Sequence, residues 1–314
     1  MSPKNLGCID RFLRAGAPNP GQNPPIDGIA SAGRAPEQSG MNFKRWIWLL
    51  LPGVLMVCLG ATDADRDDFN RYLQGRYVFK QQCAPCHGET GRGNGPWAAE
   101  MTVKPRDFRK GIFKYRTTPM GTQPTDDDLR RTIQRGVSGT AMPTFAKTLS
   151  DRDLTAILVY LKNLSPRWKE SDRLVEAVDL PEAPEWFARD ESLKKHTAAG
   201  QALFAQTCVP CHGVRGAGDG PGSKGLTNVW GQVAIPADLR VDHHRSGPQR
   251  EDLFRTIAMG LDGTPMVGFR GAFKDEQIWE LVAAVEALPK EGEKNGAEKP
   301  TSEAVPIQAK TDRE

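Results

Sequence analysis

Cys83-Ala84-Pro85-Cys86-His87 and Cys208-Val209-Pro210-Cys211-His212 are two copies of one pattern, and their reading decides the fold. Two thiols three positions apart, followed at once by an imidazole, suit covalent attachment of haem c. The thiols add to the haem vinyl groups, and the adjacent His87 or His212 becomes the proximal iron ligand. The chain has six cysteines, and four of them are spent here; the others are Cys8 and Cys58. A zinc site or a redox dithiol is the bland reading of Cys-x-x-Cys. It leaves unexplained why a histidine follows both pairs and why no strand pattern precedes either.

Working outward, the surroundings repeat as well. Gly75 and Phe79 stand eight and four residues before Cys83, as Gly200 and Phe204 do before Cys208. Residues four apart share a helix face, so each motif is expected at the end of a helix. After each histidine comes a glycine-rich loop ending in proline, Gly91 to Pro96 and Gly216 to Pro221. Such loops let backbone lie close to a flat ring. Acidic residues then open two helices, at Thr125-Asp126-Asp127-Asp128 and Gln249-Arg250-Glu251-Asp252, which end at Gly136 and Gly260. Gly139-Thr140-Ala141-Met142 follows in the first copy and Gly263-Thr264-Pro265-Met266 in the second. An amphipathic helix closes each copy, Asp151 to Leu164 and Asp275 to Leu288.

The ends of the 314-residue chain read differently. Residues 1–40 are rich in Gly, Pro and Ala and are expected to be a leader or an over-extended start. Lys44 and Arg45, the apolar run Trp46–Leu59 and the small residues Gly60 and Ala61 have the layout of a signal peptide over 41–61, which predicts a periplasmic protein. Kept uncleaved, residues 46–61 would instead tether it to the membrane. The expected division is 62–165 for the first domain, 166–190 for a linker, 191–289 for the second domain and 290–314 for a disordered tail. Beyond residue 61 there are 36 basic and 36 acidic residues, so nucleic acid is not an expected partner. The halves differ: 62–165 holds 17 basic and 12 acidic residues, 166–314 holds 19 and 24. Such a charge dipole orients encounters with redox partners.

In order, the motif helix, the glycine-rich loop, the Gly-Thr-x-Met segment and the closing helix resemble class I cytochrome c. The chain as a whole is similar to a tandem di-haem cytochrome c. The first domain also resembles cytochromes found beside periplasmic molybdenum oxidoreductases, through Lys104-Pro105-Arg106-Asp107-Phe108 and Met142-Pro143. The resemblance implies a mainly helical fold with two small bundles, each wrapped around one covalently bound haem c. It implies Met142 and Met266 as the distal iron ligands, with Met101, Met120, Met259, His243 and His244 as competitors. It also implies that the carbonyls of Pro96 and Pro221 accept a hydrogen bond from the proximal histidines. In the run Lys104, Arg106, Arg109, Lys110, Lys114 and Arg116, some side chains are expected to bind haem propionates, Arg106 among them, and others to form a docking face.

The function expected on this basis is one-electron transfer, with no catalytic side chain and no enzymatic activity. Expected partners are redox proteins: a periplasmic oxidoreductase or quinol-oxidising complex on one side, a terminal oxidase or another cytochrome on the other. The rival readings are a di-haem peroxidase-like enzyme, the electron-transfer subunit of a larger periplasmic oxidoreductase, and a haem-bearing sensor or structural subunit.

Overall fold

A computed structural model of the chain describes residues 63–241 and 244–289. The expected leader, signal segment and C-terminal tail, and the ligand candidate His243, lie outside the described residues. Those residues form eight α-helices joined by loops and short 3-10 turns, with two isolated β-bridges and no extended strand. The fold is therefore mainly α, as expected.

The described chain divides into two compact units. The first holds 63–113, 121–136 and 141–177; the second holds 114–120, 137–140 and the described residues from 178 onward. Each unit has its own core.

In the first unit, α1 (Asp63–Gln82) leads into the short α2 (Ala84–His87), which carries the first motif. Next come α3 (Asp126–Arg135) and α4 (Asp151–Asn163). The starts of α3 and α4 are written locally. Thr125 Oγ1 accepts from the Asp128 amide while the Asp128 carboxylate accepts from the Thr125 amide, a reciprocal cap. Ser150 Oγ caps α4 through the Asp153 amide. Helix α3 stops at Gly136, whose φ of 69° lies in the left-handed region. The core packs Phe79, Leu129, Leu154, Ile157, Leu158 and Tyr160 together.

The second unit repeats the plan. Helix α5 (Asp190–Thr207) leads into α6 (Val209–His212), and α7 (Arg250–Met259) and α8 (Asp275–Glu286) follow. Its core holds Phe204, Phe254, Ile278, Trp279, Leu281 and Val282. Where the first unit sets Tyr160 against Phe79 at 5.0 Å, the second has Ala284 in the matching place. Trp279 fills this core from another helix position, with its ring 4.4 Å from Phe254 and 5.7 Å from Phe187. The connector is built from short 3-10 turns at Pro166–Lys169, Ser171–Arg173 and Glu185–Ala188. It is also part of the cores: Trp168 is buried in the first, and Trp186 and Phe187 pack on the second.

Candidate functional site

Each motif sits where a long helix turns into a single helical turn. Cys83 and Cys208 have helical backbone and cap α2 and α6, and Pro85 and Pro210 fall in the first turn, where a missing N–H costs nothing. The next residues, Gly88 and Gly213, have φ of 76° and 77°, so the chain can leave the turn at once.

The two histidines are oriented alike. His87 Nδ1 lies 3.1 Å from the carbonyl oxygen of Arg106, and His212 Nδ1 lies 3.1 Å from that of Ala237. A carbonyl can only accept, so Nδ1 carries the proton in both rings and Nε2 is left with the lone pair. Burial holds both imidazoles below their ordinary pKa, against the opposing pull of the carbonyl bond. That keeps the rings neutral, as a metal ligand must be. The Phe108 ring stacks on His87 at 4.4 Å; the matching residue in the second unit is Leu239.

These bonds correct one expectation. The accepting carbonyls belong to Arg106 and Ala237, and the role assigned to Pro96 and Pro221 is not theirs. Pro96 and Pro221 begin short 3-10 turns beside the motif helices. The accepting residues come from a turn farther along, Pro105-Arg106-Asp107-Phe108-Arg109 and Pro236-Ala237-Asp238-Leu239-Arg240. The glycine-rich loops serve this turn. The Phe108 amide donates to Gly91 O at 2.8 Å, and the Leu239 amide to Gly216 O at 2.7 Å. A Cβ on Gly93 would lie 2.4 Å from Pro105 O, and one on Gly218 2.5 Å from Pro236 O. The small residues are thus needed for backbone to approach backbone. The shared Pro-x-Asp-x-Arg pattern was legible in the sequence, but six additional residues before it in the second copy hid the match.

Met142 and Met266 are both half-buried and held in matching loops. Thr140 and Thr264 bond back to the Val137 and Leu261 carbonyls through amide and hydroxyl. The Phe145 and Phe269 amides donate to Ile133 O and Ile257 O, tying each loop to the end of α3 or α7. A Cβ on Gly136 would meet Met142 O at 2.7 Å, and one on Gly260 would meet Met266 O at 2.8 Å. Among the competitors, Met259 is 5% exposed and part of the second core, Met120 is 40% exposed, Met101 is half-buried, and the His244 carbonyl accepts from Gly247.

The basic run is largely engaged by the fold. Arg109 pairs with Asp107, and Lys104 Nζ donates to the Ala98 and Ala99 carbonyls. Arg116 is 1% exposed and, within the second unit, donates to Met259 O and Gly260 O at the end of α7. Arg106 enters the site through its backbone carbonyl.

The donor set fits haem c and fits the bland readings poorly. All four cysteines are free. Burial, with Cys86 beside it, pushes the Cys83 thiol up to about 12, and burial with Cys211 beside it pushes Cys208 up to about 11. A redox dithiol or a zinc thiolate calls for the opposite shift. Among the described residues no cluster of three or more His, Cys, Asp or Glu could hold a metal ion without a further group.

Comparison with known proteins agrees. The family model for cytochrome c oxidase, cbb3-type, subunit III matches residues 70–161, and that for cytochrome c matches 197–288. A thiosulfate dehydrogenase of Psychrobacter arcticus is 23% identical over 208 residues, which are 66% of this chain; the chain spans 56% of that relative's length. A chain in the solved reducing HAO-like protein complex of Kuenenia stuttgartiensis is 32% identical, with a TM-score of 0.62, over 69% of this chain and 96% of its own. Both relatives carry the names of redox enzymes or their complexes, which overturns the expectation that this chain has no part in enzymatic activity. Cytochrome c domains are typically extracellular or periplasmic, and no described helix is long and apolar enough to cross a membrane. With two matched motif turns, two similarly oriented histidines, His87 buried and His212 half-buried, and these relatives, the chain belongs to the tandem di-haem c-type cytochromes, and it carries two covalently bound haems c.

Proposed function

We propose that this chain is the di-haem electron-transfer part of a larger periplasmic redox enzyme. Bound haem supplies reversible one-electron chemistry, and the protein supplies ligands, orientation and burial. The observation that carries the reading is the equivalence of the two half-sites: same ligand, same ring orientation, same 3.1 Å bond to a carbonyl. Two such centres on one chain suit electron passage between a substrate-converting partner and a further carrier. Similarity to a chain of the solved reducing HAO-like protein complex supports such a partner. Met142 and Met266 complete the iron ligation in this reading, Cys83, Cys86, Cys208 and Cys211 hold the haems, and further redox proteins receive or supply the electrons.

The relative named thiosulfate dehydrogenase favours a second reading, in which thiosulfate is oxidised at one haem of this chain. Anaerobic mixing of the oxidised, haem-loaded protein with ascorbate, and separately with thiosulfate, tells the two apart. Under the first reading ascorbate reduces both haems and thiosulfate alone reduces neither. Reduction by thiosulfate without any other protein would overturn it and establish the second.

A further inference from the structure

The turn that faces each proximal histidine is built in the same way twice. Asp107 Oδ1 accepts from the Arg109 amide at 3.0 Å and from Arg109 Nε at 3.1 Å, while Oδ2 accepts from Nη2 at 3.0 Å. Asp238 makes the same three bonds to Arg240, at 2.9, 2.9 and 2.6 Å. One carboxylate therefore caps the turn and fixes the arginine two residues on. The residue just before the aspartate is the one whose carbonyl accepts from the histidine. Phe108 and Leu239, just after it, anchor the turn to the glycine-rich loop through their amides. Nothing in these bonds requires a particular side chain at the accepting position, and the copies differ there, Arg106 against Ala237.

We propose that Asp107 and Asp238 are positioning residues that set the electron-donating strength of the proximal ligands. A carbonyl held in line with Nδ1–H makes the imidazole a stronger donor through Nε2, which favours the oxidised metal. A carbonyl that swings away weakens that donation. Each aspartate acts on the histidine of its own unit, since each turn bonds to its own motif's loop and ring.

This inference rests on haem attachment and is independent of the partner or substrate. Its test is potentiometric titration of the haem-loaded Asp238→Asn and Asp107→Asn proteins, with 15N NMR of the reduced protein to follow exchange of the imidazole Nδ1–H. Asp238→Asn should raise one of the two midpoint potentials, by up to about tenfold in the equilibrium constant, about 59 mV for one electron, and speed exchange at His212 alone. Asp107→Asn should do the same to the other haem and to His87. Where an aspartate variant fails to mature, Arg240→Gln serves, because it keeps the backbone cap and removes the side-chain pair; a smaller shift in the same direction is expected. Unchanged potentials with lowered thermal stability would overturn the proposal, as would equal movement of both potentials.

Discussion

Gly75 of α1 lies directly against the carbonyl of Ala156 in α4: a Cβ at Gly75 would sit 2.0 Å from that oxygen. Gly200 repeats the relationship, with its Cβ position 1.8 Å from Glu280 O in α8. The helix leading into each motif thus crosses the closing helix of its unit backbone to backbone. Even a methyl group has no room, because the opposing atoms are main chain. Gly75→Ala and Gly200→Ala should each force the crossing apart and destabilise the protein by about 1–3 kcal/mol, the range for overpacking a core. Denaturant unfolding of the purified variants measures it.

The thiols give a mass prediction. Intact-mass analysis of protein matured with the haem-attachment machinery should show two haem increments that survive acid–acetone extraction. Cys83→Ala with Cys86→Ala should remove one increment and leave the other, because the second motif lies in a separate unit. Bound zinc in place of haem would contradict the assignment.

The Met142 and Met266 loops are held by the same bonds, so both thioethers are expected on iron. The oxidised protein should show a near-infrared sulfur-to-iron charge-transfer band for two haems, and Met142→His or Met266→His should each remove about half of it. Each change should lower one potential and leave the other nearly in place, since imidazole favours oxidised iron more than a thioether does. An intact band after Met266→Ala would assign the second distal ligand elsewhere.

Acid stability probes the turn at Asp238. The Arg240 side chain holds this carboxyl below its ordinary pKa, with the Arg240 amide assisting. A depressed folded-state pKa means a contribution present above the unfolded value of about 3.9 and lost as pH falls through the lower folded value. The stability difference between wild type and Asp238→Asn should therefore be constant near neutrality and shrink as pH falls below about 4. Equilibrium unfolding at a series of pH values reads it; a difference that grows on acidification would contradict the assignment.

What the sequence determined by itself is whatever is contiguous along it. The two Cys-x-x-Cys-His pentapeptides name their cofactor because thiols and ligand must be neighbours in the chain. Helix starts at Thr125 and Asp151 and stops at Gly136 and Gly260 were legible because the signals that start and stop a helix act within one turn. The duplication placed Met142 and Met266 in equivalent loops for the same reason. The tertiary structure decided what depends on backbone rather than side chain. Arg106 and Ala237 accept from His87 and His212 through carbonyls that every residue possesses, so no residue type marks them. Arg116, one of a run of basic residues by sequence, is buried on the carbonyls that end α7 in the second unit, because the fold brings that segment to a helix terminus in need of donors. Gly75 and Gly200 showed their helix face in the sequence, but only the crossing with α4 and α8 shows why no larger residue can stand there.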